Sequence, residues 1–245
     1  MRADAFLASL NDLPRGDLAD LAGTGGLVVV APHPDDESLG CGGLIARACG
    51  EGRSVRLVVV SDGCGSHTHS RTHPPERLRA LREAETLAAV AELGLAADHV
   101  RFLRLPDAAV PCEGEGGQAA AEAVARAARD CAAGAIMVTW RHDPHCDHAA
   151  SAAIVDLARA ALGDIRVFHY PVWGWRLPPE TEVGPRPEGL RLDVGAHSAA
   201  KRRAVMAHAS QTTDLIADDP TGFRLERSMI DRLCGPEEVY IEVPR

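Results

Sequence analysis

The chain reads as an α/β protein, a Rossmann-like three-layer sandwich built on a mostly parallel sheet. Three observations predict it. Five short apolar runs alternate with Ala/Leu/Arg segments of helical spacing, which is the pattern of successive βα units. The residues with chemical potential cluster just after those runs, where open parallel sheets carry their sites. Finally, 245 residues with 46% hydrophobic and 25% charged residues suit one α/β domain, so 1–245 is taken as a single domain.

The elements follow in order. "GLVVVA" (26–31) is a buried strand, and a helix is expected over 38–50. "SVRLVVVSDG" (54–63) precedes a helix at 75–93, and "HVRFLRLPD" (99–107) precedes one at 117–132. "GAIMVTW" (134–140) leads to a helix at 148–162, and "IRVFHYPVW" (165–173) is the fifth strand. Glycines in "LGL" (93–95) and "CAAGA" (131–135) fall near two helix ends, where a left-handed cap is common. The Pro/Gly-rich stretch 176–189 reads as a loop. A helix at 197–209, a polar loop at 210–222, a short helix at 223–233 and a closing strand "EVYIEV" (238–243) complete the chain, with no internal repeat.

A net charge of −9 argues against nucleic acid or an anionic membrane as partner, since both call for a basic surface. The Arg-rich stretch 71–83 reads as a solvated helix face with Arg–Glu pairs. Seven scattered cysteines without a CxxC pair fit a reducing compartment. No stretch reaches the roughly 18 apolar residues of a membrane span, and "MRADAFLASLNDLP" lacks a long apolar core. A soluble cytoplasmic protein is expected.

Chemistry concentrates in two places. In "APHPDDESLGCGG" (31–43), His33 and Asp36 stand at i and i+3 of a tight turn, two thirds of a facial metal site. Asp35 lies between them, where a general base for water would sit. Gly40, Gly42 and Gly43 let other backbone pack closely against the departing helix. In "HDPHCDHAAS" (142–151), either His145 or His148 would complete a His/Asp/His set. Asp143 and Asp147 suit imidazole N–H groups, or act as plain acids at a helix start. A lone His-x-x-His is weak evidence, and "HPDDE" alone could be a helix cap. Both together, at the ends of two parallel strands, point to a metal centre.

These residues resemble the PIG-L/LmbE-like deacetylases, zinc hydrolases that remove acetyl from N-acetylglucosaminyl groups. The likeness spans most of the chain, and includes "SDG" after strand two, Arg82 and Glu85 before Leu93-Gly94, Asp107, and "KRRAVMAHASQ" (201–211). The resemblance implies His33, Asp36 and His148 as zinc ligands, Asp35 as general base, and His145 as the group facing the oxyanion. It also implies sugar contacts from Arg82 and Asp107. Iron(II) is an alternative metal for such a donor set. One residue departs from the family pattern, with Cys146 standing where Pro is usual. The implied reaction is metal-assisted amide hydrolysis. Asp35 takes a proton from water, and Asp35 or His145 returns one to the departing amine.

Weaker signals complete the reading. Trp173 and Trp175 in "YPVWGWR" (170–176) would offer an aromatic wall to a sugar. His67, His69 and His73 are spaced irregularly, as in a mobile lid rather than a metal tract. His208 is either a helper of the site or structural. Rival functions are an amidase of the same machinery cutting another amide, such as a thiol-sugar conjugate, and a silent sugar-binding protein. An intact Asp35 argues against the binder. A nucleotide site fails for want of GxGxxG after strand one.

Overall fold

The computed structural model describes residues 1–244. Two short helices, α1 (Ala3–Ser9) and α2 (Leu18–Ala22), flank a two-residue strand, β1 (Arg15–Gly16). The alternating units follow as β2 (Gly26–Ala31), α3 (Asp36–Gly50), β3 (Val55–Ser61), α4 (Pro75–Glu92), β4 (Val100–Leu105), α5 (Gly114–Asp130), β5 (Ala133–Thr139), α6 (Cys146–Ala160) and β6 (Arg166–Tyr170). Then come β7 (Gly189–Asp193), α7 (Ser198–Ala207), α8 (Ala209–Thr212), α9 (Arg227–Leu233) and β8 (Glu237–Glu242).

The five expected strands and the first four expected helices are all present, with ends displaced by no more than three residues. The helix expected from 223 begins at Arg227, and α8 occupies the start of the expected polar loop. Four elements carried no readable signal: α1, β1, α2 and β7. Each is short, and α2 starts at a capping box, in which the Asp17 side chain accepts the Asp20 N–H and the Asp20 side chain accepts the Asp17 N–H.

The strands make one eight-stranded sheet in the order β1-β7-β8-β6-β5-β2-β3-β4. All pairings are parallel except those of β8, which runs antiparallel to both β6 and β7. Along β2, successive side chains alternate between faces. Leu27, Val29 and Ala31 join one core with residues of α3, α4, α7 and α9. Val28 and Val30 join a second core with residues of α5 and α6. Apolar burial on both faces is why β2 reads as an unbroken hydrophobic run. Helix, sheet and helix make the three layers. Among the described residues, no helix is long and apolar enough to cross a membrane.

Two details fix α3 over the sheet. A Cβ on Gly40 would stand 2.0 Å from Cδ2 of Tyr170, so only glycine permits this approach to β6. The Tyr170 hydroxyl in turn donates to the Val30 carbonyl at 2.8 Å. Further along α3, the N–H groups of Gly43 and Leu44 donate to the buried Glu238 carboxylate of β8, at 2.7 and 2.8 Å. Lys201 of α7 and the Tyr240 hydroxyl also donate to Glu238, at 2.6 and 2.7 Å. Charge pairing and several donors together make burial of this carboxylate tolerable.

The chain passes from β2 to β3 on one side, while β5 pairs with β2 on the other. Such a reversal opens a crevice at the carboxyl ends of the strands. "HPDDE" leaves β2 and "HDPHCDH" leaves β5, so both segments open onto that crevice.

Candidate active site

His33, Asp36 and His148 converge there, each buried, with one donor atom apiece within 4.8 Å of the others. His33 Nδ1 lies 3.2 Å from Asp36 Oδ2, and His148 Nε2 lies 3.3 Å from the same oxygen. The second nitrogen of each imidazole is held from outside. His148 Nδ1 donates to Asp143 Oδ2 at 2.9 Å, and His33 Nε2 faces Asp147 Oδ2 at 3.2 Å and Asp107 Oδ1 at 3.3 Å. Burial opposes charge on both rings, but the surrounding carboxylates raise the pKa of His33 well above normal and that of His148 to about 9. The same histidines hold Asp36 below the usual carboxylate range despite its burial.

These residues fit a divalent metal. Among the described residues, His148 Nε2 is buried without a hydrogen-bond partner, although it faces Asp36, and a cation would take that lone pair. A second group, His33, Asp107, His145 and Asp147, also has donors within 4.8 Å of one another. Its carboxylates are already engaged: Asp147 accepts N–H bonds from Ala108 and Val110, and Asp107 accepts one from Gly65. The first group is the candidate metal site, with Asp143, Asp147 and Asp107 placed to orient its imidazoles.

His145 caps α6 and accepts the Asp147 N–H at Nδ1, 3.2 Å away. Burial, together with cationic His33 and His148, lowers its pKa. A neutral ring accepting at Nδ1 carries its proton on Nε2, so this hydrogen-bond arrangement makes His145 a donor. Its ring meets that of His33 edge-on, with centroids 4.4 Å apart.

Asp35 precedes α3 with φ 145° and ψ −26°, a strained conformation for a non-glycine residue. Such backbone costs about 1–3 kcal/mol and persists only where the surroundings impose it. Burial lifts the Asp35 pKa to about 6, against the pull of the Arg82 guanidinium. Arg82 Nη2 stands 3.4 Å from Asp35 Oδ2 and donates to the Pro34 carbonyl at 2.6 Å, while Nη1 donates to the Gly63 carbonyl at 2.9 Å.

Together they floor a cavity of about 480 Å³, which is also lined by Asp107, His145, Trp173, Arg176, Gln211 and Phe223. Its volume lies within the range of small-molecule pockets. Asp107 sits at its edge; burial would raise its pKa, but its bond to His33 holds it low. Trp173 meets Phe223 edge-to-face at 5.6 Å, so one wall is aromatic. Trp175 instead packs into the core beneath, with Arg232 over its ring. Apart from Trp175, every residue that the sequence singled out as catalytic, metal-holding or substrate-facing thus borders this crevice, although His148 lies behind the cavity wall.

The loop of residues 67–73 is hydrogen-bonded to the segment at 218–223. Asp218 accepts the N–H groups of Arg71 and Thr72 and the hydroxyls of Ser70 and Thr72. Asp219 accepts the His69 N–H, and the Phe223 N–H donates to the Ser66 carbonyl. The loop expected as a lid is fastened to the segment that carries Phe223. His67, His69 and His73 belong to neither metal-donor group among the described residues.

Residues 28–159, just over half of the chain, match the sequence model of the family described as PIG-L: GlcNAc-PI de-N-acetylase. The chain belongs to the PIG-L family. Both motifs of this PIG-L chain lie inside the matched segment, and Trp173, Gln211 and Phe223 lie outside it. A 1D-myo-inositol 2-acetamido-2-deoxy-alpha-D-glucopyranoside deacetylase of Rhodococcus opacus (strain B4) is 28% identical, over 88% of this chain and 90% of that protein. A 2'-N-acetylparomamine deacetylase of Streptomyces fradiae is also 28% identical, over 78% and 75%. The fold matches an N,N'-diacetylchitobiose deacetylase from Pyrococcus horikoshii with a TM-score of 0.68 at 16% identity, covering 93% of this chain and 86% of that one.

Glu37 escaped the sequence reading, and so did the partner of His208. Glu37 and His208 are buried and meet at 2.9 Å, 171 positions apart. The E of "HPDDE" reads as a first-turn acid, and nothing in "AHASQ" says what its histidine touches.

Proposed function

We propose that this PIG-L protein is a zinc-dependent N-deacetylase that removes the acetyl group from an N-acetylglucosamine-type sugar or glycoconjugate and releases acetate. The observation that carries the reading is the His33/Asp36/His148 cluster, with an unpartnered His148 Nε2, beneath a cavity of about 480 Å³ with an aromatic wall. Relatives that act on N-acetylated glucosamine-type sugars support the same substrate class.

His33, Asp36 and His148 would hold the metal, zinc or iron(II), since two imidazoles and a carboxylate suit either. A cation bound there supplies Lewis-acid polarisation of the acetyl carbonyl and acidifies water. Asp35 takes a proton from the attacking water, held in place by Arg82 at its carboxylate. The Nε2–H of His145 donates to the carbonyl oxygen as negative charge develops, a contact that grows stronger toward the transition state. Asp35, which then carries the water's proton, returns it to the departing amine. Trp173 packs against the sugar face, and Arg82 and Asp107 bound the sugar's seat beside the reacting amide.

The test is acetate release from the inositol glycoside of 2-acetamido-2-deoxy-glucose, 2'-N-acetylparomamine and N,N'-diacetylchitobiose, using zinc-loaded, chelator-stripped and zinc-restored protein. Release from at least one substrate, lost on stripping and regained with zinc, is expected. No release from any N-acetyl sugar by metal-loaded protein would favour the sugar-binding reading instead.

A further inference from the structure

The peptide group between Pro34 and Asp35 is gripped at both polar ends by buried charged side chains. On one side its carbonyl accepts from Arg82 Nη2 at 2.6 Å. On the other its N–H donates to Glu37 Oε2 at 3.0 Å. Glu37 is fully buried and stays outside the cavity lining. Its second oxygen, Oε1, accepts from the Ser38 hydroxyl at 2.7 Å and faces His208 Nε2 at 2.9 Å. His208 is likewise buried and absent from the cavity wall. With the plane held at both ends and Pro34 fixing its own φ, rotation about the Asp35 N–Cα bond is what aims the carboxylate. That rotation stands at φ 145°, which a free aspartate would leave.

We infer that Glu37 and His208 are positioning residues for the reaction: Glu37 pins the Pro34–Asp35 peptide plane so that Asp35 points at the metal crevice, and His208 holds Glu37 in place. The inference rests on the reading of Asp35 as general base. A carboxylate suits the task because a charge-assisted bond to an N–H is stronger than a neutral one. His208 supplies the donor that a buried carboxylate needs.

The test is a double-mutant cycle on zinc-loaded protein, reading kcat, KM and metal content in acetate release. Glu37→Ala is expected to lower kcat about 100-fold, the scale of an ångström's misplacement of a catalytic group. KM should stay within about threefold and metal content at the wild-type value. In an Asp35→Asn background, Glu37→Ala should change kcat less than twofold, because the group it positions is gone. Glu37→Gln keeps reach without charge and should retain most of kcat, whereas Glu37→Asp keeps charge without reach and should behave as Glu37→Ala does. These two also serve if the alanine variant fails to fold. Equal losses in both backgrounds, wild-type kcat in both Glu37→Ala and Glu37→Asp, or loss of metal in step with kcat would overturn the inference. Wild-type kcat in Asp35→Asn overturns the base assignment and this inference with it. Loss in Asp35→Asn beside full kcat in Glu37→Ala overturns this inference alone.

Discussion

Asp143 holds His148 from behind, accepting its Nδ1 proton at 2.9 Å, and the same carboxylate accepts the N–H groups of Val172, Trp173 and Gly174. One buried side chain therefore orients the proposed metal donor and fixes the strand end that presents the aromatic wall. Asp143→Asn should weaken zinc binding about 10- to 100-fold, the usual effect of losing an imidazole's outer partner. Competition with a chromogenic chelator measures this. An unchanged zinc affinity would mean that Asp143 does not orient the donor.

Trp173 lines the cavity and is not one of the proposed metal donors, so its removal should act on binding. Aromatic contacts are worth about 0.5–1.5 kcal/mol beyond their area. Trp173→Ala is expected to raise KM about three- to tenfold with kcat little changed, read by steady-state acetate release. A fall in kcat at constant KM would place the ring in the transition state instead.

Gly40 is where α3 meets β6. A methyl group there would overlap the Tyr170 ring, whose nearest atom lies 2.0 Å from the Cβ position. Overpacking of this kind costs about 1–3 kcal/mol. Gly40→Ala should lower the urea midpoint accordingly at unchanged slope. A midpoint equal to wild type would mean that the tyrosine moves aside freely.

His169 makes stability depend on acid. It is buried in β6, its Nε2 has no hydrogen-bond partner, and burial, with Arg141 and His142 nearby, lowers its pKa from 6.5 to about 3. The folded ring stays neutral while the unfolded chain protonates near 6.5. The unfolded state thus binds more protons between those values. This contribution is full above 6.5 and is lost as pH falls toward 3, by about 1.4 kcal/mol per pH unit. His169→Gln removes it. Wild-type stability measured against the variant's should fall by about that amount for each unit between pH 6 and 4, with other groups cancelling in the difference. A difference independent of pH would contradict a neutral buried ring.

Much of this was readable from residue order because strand-end chemistry is local. His33, Asp35 and Asp36 share one turn, and His145 and His148 share one helix start, so spacing alone brings each set together. What joins the two sets is the pairing of β2 with β5, which alternation predicts only as a class of sheet. Long-range partners were opaque. Glu238 gives no sign in sequence that it will meet the N–H groups of Gly43 and Leu44, and β7 is a five-residue strand behind a Pro/Gly-rich loop. The fastening of residues 69–72 by Asp218 and Asp219 is equally silent, because a polar loop pattern does not say what its acids will accept.

The position of β8 has a consequence for how the chain is made. It is the last strand in order, yet it lies between β6 and β7 and carries the carboxylate that anchors α3. A chain growing from its amino end holds every proposed metal donor by residue 148, but β6 keeps an open edge until residues 237–242 arrive. An unpaired edge of apolar strand is a template for other chains. Synthesis therefore passes through an interval in which residues 33, 36 and 148 exist without that support, and β8 covers the edge of β6 and steadies α3 in one step.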